Sequence, residues 1–190
     1  MTEEKSLHRF WTIPNVLTLV RLVLVGVMVY FAVYRRNSIA ALEVYLVAFA
    51  TDIVDGWIAR TFHQISDVGK VLDPIVDKTM TVAALASLAI MGNLSNVVLI
   101  VVVAVKEALM IAGGIFVFLK VDKVVQANAF GKFSAGCYFL AIVMLFLHEV
   151  MKPWDMWFMV VAVAMNLVSF VQYGYLNIYK ELKNRKAPVV

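Results

Sequence analysis

Asp52-Ile53-Val54-Asp55-Gly56-Trp57-Ile58-Ala59-Arg60, then eight residues, then Gly69-Lys70-Val71-Leu72-Asp73-Pro74-Ile75-Val76-Asp77, make one acidic stretch inside a markedly apolar chain. Residues three or four apart share a helix face. Asp52, Asp55, Gly56 and Ala59 therefore line one face, and Asp73 and Asp77 line a face of the next helix. The short interval predicts antiparallel neighbours whose acidic faces meet at one depth. Carboxylates gathered in this way repel one another unless a cation lies among them. Oxygen-only ligands suit a hard divalent ion such as magnesium, manganese or calcium, and disfavour zinc. Gly56 and Ala59 leave room for a flat or bulky group, and Arg60 and Lys70 add positive charge at the mouth. That combination suits a diphosphate-bearing substrate. The bland alternative is a solvated loop face, which is accepted here for Asp67 in the turn. It does not suit Asp52, which lies well inside its apolar run, where a carboxylate is functional by default. A small ion or metabolite carrier is the competing functional class. It accounts for the aspartates but not for Gly56, Ala59 and Arg60.

The surroundings decide the fold class. The chain has 190 residues, of which 63% are hydrophobic and 16% charged, with a mean hydropathy of +0.86. Soluble domains are nearer ~45–50% apolar and ~25% charged. A soluble core of this length cannot hide so much apolar surface, so the bilayer is the expected solvent. Six apolar runs follow in order: about 13–34, 39–62, 70–91, 96–119, 130–147 and 154–179. Each is long enough, at roughly 20 residues, to cross the hydrocarbon as a helix. Residues 1–11 mix Glu3, Glu4, Lys5, His8 and Arg9 with Leu7, Phe10 and Trp11, which predicts an amphipathic helix at the membrane surface. No removed signal peptide is expected. The expectation is an all-α integral membrane protein of one domain, 1–190. It comprises the interfacial helix 1–11, a six-helix bundle over 12–180 and a tail over 181–190.

Six spans put both termini on one side, and the basic residues choose it. Lys5, Arg9, Arg60, Lys70, Lys78, Lys120, Lys123, Lys132, Lys180, Lys183, Arg185 and Lys186 fall on that side; Arg35, Arg36 and Lys152 fall opposite. By the positive-inside rule both termini, and the aspartate stretch with them, face the cytoplasm. Trp11, Trp57, Trp154 and Trp157 sit near span ends as interfacial anchors. Cys137 reads as a small buried hydrophobe.

The spacing Asp52-x-x-Asp55-Gly56-x-x-Ala59-Arg60-(eight)-Gly69-x-x-x-Asp73-x-x-x-Asp77 resembles the signature of the CDP-alcohol phosphatidyltransferases, with every fixed position filled. Pro14-Asn15-x-Leu17-Thr18-x-x-Arg21 resembles the opening of the first span in bacterial phosphatidylglycerophosphate synthases and related cardiolipin synthases. Gly131-Lys132 resembles the pair that opens their fifth span. The resemblance implies transfer of a substituted phosphate from a CDP-linked donor to an alcohol, with release of CMP. It implies that Asp52, Asp55, Asp73 and Asp77 hold divalent metal, Mg2+ or Mn2+ and two ions, with Asp77 as general base. Gly56 and Ala59 would receive the cytidine, with Asp52, Arg60 and Gly69 also at the nucleotide. The implied partners are CDP-diacylglycerol, an alcohol acceptor, membrane lipid and a second copy of the chain; nucleic acid is not expected. The implied location is a bacterial cytoplasmic membrane, with the active site facing the cytoplasm.

Polar groups elsewhere in the apolar runs are weighed singly. Arg21 either snorkels to the interface or contacts donor phosphates. Asn15 and Thr18 either line the same pocket or cap the helix. Lys106 and Glu107 lie mid-span as neighbours about 100° apart on a helix, so one is expected to face the cavity and the other to find a separate partner. Lys132 is a candidate phosphate ligand, with Lys106 and Glu107 also assigned to the acceptor. His63 and His148 read as interfacial bystanders, and Glu43, Asn166 and Gln172 as interhelical glue. Gly113-Gly114 suggests close helix packing in a dimer. The acceptor expected is glycerol 3-phosphate, by the length and the first-span wording. Phosphatidylglycerol is the second choice, because Lys106-Glu107-Ala108-Leu109-Met110-Ile111-Ala112-Gly113-Gly114 resembles the cardiolipin synthases.

Overall fold

The computed structural model describes residues 12–61, 67–94, 96–121 and 129–175; within these, no side chain is described at 59–60, 67–68, 70–71, 111, 114–121 and 173. The expected interfacial helix 1–11 and tail 181–190 lie outside the described residues. The described chain is helical, without strands: α1 (Ile13–Val29) running into a π-helical turn (Tyr30–Tyr34), α2 (Ser38–Thr61), α3 (Asp67–Met91), α4 (Val97–Val121), α5 (Ala129–Phe146), α6 (His148–Met151) and α7 (Trp154–Gly174). It divides into two compact units, residues 1–96 and 97–190.

In the first unit, Thr12 starts α1. Its extended backbone and side-chain oxygen, which accepts the Asn15 N–H at 3.4 Å, make it the N-cap. This satisfies one of the donors that a helix start leaves open. Pro14 in the first turn costs nothing there. Asn37 plays the same part before α2, accepting the Ala40 N–H at 3.0 Å. At the far end of α3, Gly92 takes φ +89°, a conformation open to glycine without strain. The Asn93 N–H then returns to the Leu88 carbonyl at 3.0 Å. Arg36 donates to the Ile90 carbonyl at 2.6 Å, in the last turn of α3, where a cation is favoured. This contact gives Arg36 a structural reason to stand on the side that the charge rule would leave poor in basic residues. α3 starts at Asp67, three residues before the expected start at Lys70, so Asp67 opens a helix rather than lying in a turn.

α1 packs against both α2 and α3, and the π-helical turn touches all three helices of the unit. The buried face of α1 reads Pro14, Asn15, Thr18, Arg21, Val25 and Met28, a three-and-four rhythm that turns one stripe inward. Its upper half is polar and its lower half apolar. Ala32, Ala41 and Ala84 are wholly buried, with Leu42, Tyr45, Leu85 and Leu88 filling the remaining space. In the second unit α5 packs on α7, α4 also meets α7, and α6 bridges α5 and α7. Tyr138, Ala141, Ile142, Leu145 and Phe146 from α5 and Met159, Ala162 and Val163 from α7 form its core.

Val23, Val97, Val98, Val171, Trp154 and Trp157 remain largely exposed. Apolar surface left open along so many helices marks a lipid-facing protein rather than a water-facing one. Among the described residues four helices are long and apolar enough to cross a bilayer: Ile13–Tyr34, Leu72–Met91, Ala129–Phe146 and Trp154–Gln172. The protein is a helical membrane protein.

Because Ala84 has no free surface, Ala84→Leu is expected to overpack the first unit and cost about 1–3 kcal/mol. The measurement is the melting temperature in detergent. Val82→Leu on the exposed side of the same helix is the control and leaves it unchanged.

Candidate active site

The buried stripe of α1 carries Asn15, Thr18 and Arg21 against the acidic faces of α2 and α3. Arg21 is completely buried, so snorkelling to the interface is not its role. Its Nη1 lies 2.7 Å from Asp52 Oδ1 and 2.5 Å from Asp77 Oδ1, and its Nη2 donates to Asp55 Oδ2. Thr18 Oγ1 lies 2.6 Å from Asp73 Oδ1 and 3.0 Å from the Pro14 carbonyl. With one proton to donate, the hydroxyl favours the shorter, charge-assisted contact. Each of the four aspartates thus has a donor from α1. The two acidic faces do not simply meet each other; α1 packs on both helices and places a guanidinium between their carboxylates.

Four carboxylates share one guanidinium, with Lys78 acting on Asp77 from its own helix, so carboxylates outnumber the described cations that face them. Asp55 is buried, whereas the Asp52 and Asp77 side chains are 39% and 45% exposed. The surplus charge is therefore presented on the Asp52–Asp77 side. The Arg21 Nε is buried without a hydrogen-bond partner. Gly56 is half-buried one residue beyond Asp55, and Gly69 is buried near the start of α3. The side chains of Ala59 and Arg60 lie outside the described residues.

An all-oxygen set with excess negative charge fits a hard divalent cation by its donor chemistry. Among the described residues no three acidic or histidine side chains are already disposed as ligands. One carboxylate oxygen of each aspartate is turned to Arg21 or Thr18.

The second unit holds the other expected residues. Lys106 and Glu107 meet each other: Lys106 Nζ donates to Glu107 Oε1 at 2.8 Å, both residues being buried. The 100° offset was expected to separate them, but the flexible four-carbon stem of lysine spans it. Tyr138 and Asn166 line the same small recess, with Val103, Val163 and Leu167. Lys132 is exposed in the first turn of α5, and Ser134 is buried behind it, donating to the Gly131 carbonyl at 3.0 Å. His148 is no bystander: its Nδ1 lies 2.5 Å from Asp155 Oδ2, and Asp155 is wholly buried. Sequence reasoning missed Asp155, although an acidic residue in the first turn of an apolar span was the available signal.

The family model for CDP-alcohol phosphatidyltransferase matches residues 11–168. The chain belongs to the CDP-alcohol phosphatidyltransferase family, and it is an enzyme of that class, a phospholipid-synthesising transferase. It is 29% identical over 181 residues to the CDP-diacylglycerol–glycerol-3-phosphate 3-phosphatidyltransferase of Aquifex aeolicus, covering 89% of this chain and 99% of the relative. The similarly named protein of Cereibacter sphaeroides is 32% identical over 72% of this chain and 64% of its own length. The human cardiolipin synthase (CMP-forming) is 35% identical over 56% of this chain and 35% of its own length. No solved structure matches the chain. The family is in general metal-dependent, in keeping with the donor chemistry above.

Two substitutions examine these contacts. Thr18→Val removes the only α1 donor described for Asp73 and is expected to lower turnover roughly tenfold, the scale of a hydrogen bond to a charged group; Thr18→Ser retains most of it. Lys106→Met removes the ammonium paired with the buried Glu107 carboxylate and is expected to lower the melting temperature. The double change Lys106→Met with Glu107→Leu recovers most of that loss in a thermal melt, which a pair of independent side chains would not do.

Proposed function

We propose that this protein transfers the phosphatidyl group of CDP-diacylglycerol to glycerol 3-phosphate, forming phosphatidylglycerophosphate and CMP. The observation that carries the reading is the gathering of all four signature aspartates of α2 and α3 against α1, with carboxylates outnumbering the described cations and Asp52 and Asp77 partly exposed. The acceptor is argued from the Aquifex relative, whose name specifies glycerol 3-phosphate and whose whole length this chain covers.

In this reading Asp52, Asp55, Asp73 and Asp77 hold Mg2+ or Mn2+, with two ions at the site. Bound there, the ions supply neutralising charge to the diphosphate and to the departing CMP, the largest electrostatic need in such a transfer. Asp77 takes the proton from the acceptor hydroxyl. The hydroxyl oxygen forms the new bond to the phosphorus bearing the diacylglycerol, and the bond from that phosphorus to the oxygen shared with CMP breaks. Gly56 and Ala59 admit the cytidine because they carry little or no side chain. Arg60 and Gly69 bound the nucleotide end, and Asn15, Thr18 and Arg21 bound the donor from α1. Lys132, Lys106 and Glu107 receive the acceptor and its phosphate. The whole chain acts as one domain of six spans with an interfacial N-terminal helix, both termini and the active site facing the cytoplasm. It works in a bacterial cytoplasmic membrane as a homodimer.

Phosphatidylglycerol is the second acceptor reading, favoured by the Lys106–Gly114 wording and by the cardiolipin synthase relatives. Purified protein, labelled CDP-diacylglycerol and Mg2+ or Mn2+, offered glycerol 3-phosphate, phosphatidylglycerol, serine or inositol phosphate in turn, separates these. The expected product is phosphatidylglycerophosphate. Asp52→Asn and Asp77→Asn are expected to lower CMP release by at least about 100-fold. Full CMP release in both variants would remove the mechanism. Consumption of phosphatidylglycerol alone would move the acceptor assignment.

A further inference from the structure

We infer that Arg21 is a built-in counter-cation that occupies the acidic site before metal enters, so that Arg21 and the divalent ion compete for the same carboxylate oxygens. The inference rests on the reading that these aspartates hold metal, and goes beyond it by assigning Arg21 a part in controlling metal affinity.

Three observations carry it. First, the guanidinium engages Asp52 Oδ1, Asp55 Oδ2 and Asp77 Oδ1. These belong to three of the four residues assigned to metal in that reading. Second, Arg21 is entirely buried, and its Nη groups serve carboxylates of both α2 and α3. Without a cation there, the paired carboxylates would repel across the helix packing. Third, the fit is incomplete from both sides. One guanidinium lies among four carboxylates, with Lys78 acting on Asp77 from its own helix, and among the described residues the buried Nε has no hydrogen-bond partner. A purely structural ion cluster would match its charges and satisfy its donors. This one holds the carboxylates together and keeps a strong net attraction for further positive charge.

The consequence is thermodynamic linkage. For the carboxylates to turn to a divalent ion, Arg21 must release at least part of its three-way grip. Whatever Arg21 contributes to the metal-free state is subtracted from metal affinity, and the coupling is reciprocal. Removing the charge at position 21 therefore tightens metal binding and weakens the metal-free fold. A residue that served only as a donor-phosphate ligand would do neither.

The test uses the full chain in detergent without substrate. Mn2+ binding is followed by the paramagnetic resonance signal of the free ion, and melting temperature is measured with and without Mn2+. Arg21→Gln is expected to bind Mn2+ at least about fivefold more tightly than the parent protein, the lower end of ordinary coupling energies. It is also expected to melt lower without Mn2+ and to gain more on adding it. Mn2+ affinity equal to or weaker than the parent's overturns the inference. Asp55→Asn and Asp77→Asn separate the two layers of the argument. If they weaken Mn2+ binding while Arg21→Gln fails to tighten it, only the competition is wrong. If they leave Mn2+ binding unchanged, or the parent protein does not bind Mn2+, the metal assignment fails and takes the competition with it. Should Arg21→Gln not fold, Arg21→Lys keeps the charge but cannot bridge three carboxylates. It is expected to show a smaller tightening in the same direction, and unchanged or weakened Mn2+ binding by that variant overturns the inference equally.

Discussion

The first unit is built around a buried charge cluster that joins its three long helices. Arg21, wholly buried, binds carboxylates from two helices, and Thr18, three residues earlier, holds a fourth. Burying ions is costly unless they are paired and their hydrogen bonds are met. The arrangement therefore constrains everything around it. α1 must present its polar half to both neighbours, and α2 and α3 must keep their acidic faces at one depth. Small residues such as Ala32, Ala41 and Ala84 let the backbones come close enough for this to happen. The ion cluster and the alanine-rich packing are two halves of one solution.

The excess of carboxylates over the described cations is presented where Asp52 and Asp77 are partly exposed. A phosphatidyltransferase needs a place where a diphosphate, itself anionic, can be received beside carboxylates. That is possible only when additional cations bring the total charge near balance. The structure supplies the attraction for those cations without supplying the balance.

Much of this was legible from spacing. The helix faces of Asp52, Asp55, Asp73 and Asp77 follow from intervals of three and four, and the ends of α1 and α3 from Ile13-Pro14-Asn15 and Gly92-Asn93. Periodicity reports which face a residue occupies but not what stands opposite. That is why α2 and α3 were expected to meet directly, with α1 left out, and why Arg21 stayed undecided between interface and phosphate. Lys106 and Glu107 show the same limit at shorter range. Their angular offset is a backbone property, whereas their contact depends on how far a flexible lysine stem reaches. His148 and Asp155 are seven residues apart with a turn between them, and no helical rhythm connects such a pair.

By itself, then, the amino-acid sequence determined the class of chain, the solvent it folds in and the helix faces on which the signature aspartates stand. These depend on composition and on local intervals, which the chain states directly. Only the tertiary structure decided that the first cation among the aspartates is the protein's own. Arg21 meets Asp55 and Asp77 across 34 and 56 positions. That meeting is set by how α1 lies against two other helices and by where a buried guanidinium can find enough acceptors, and neither is written in the spacing of any one helix.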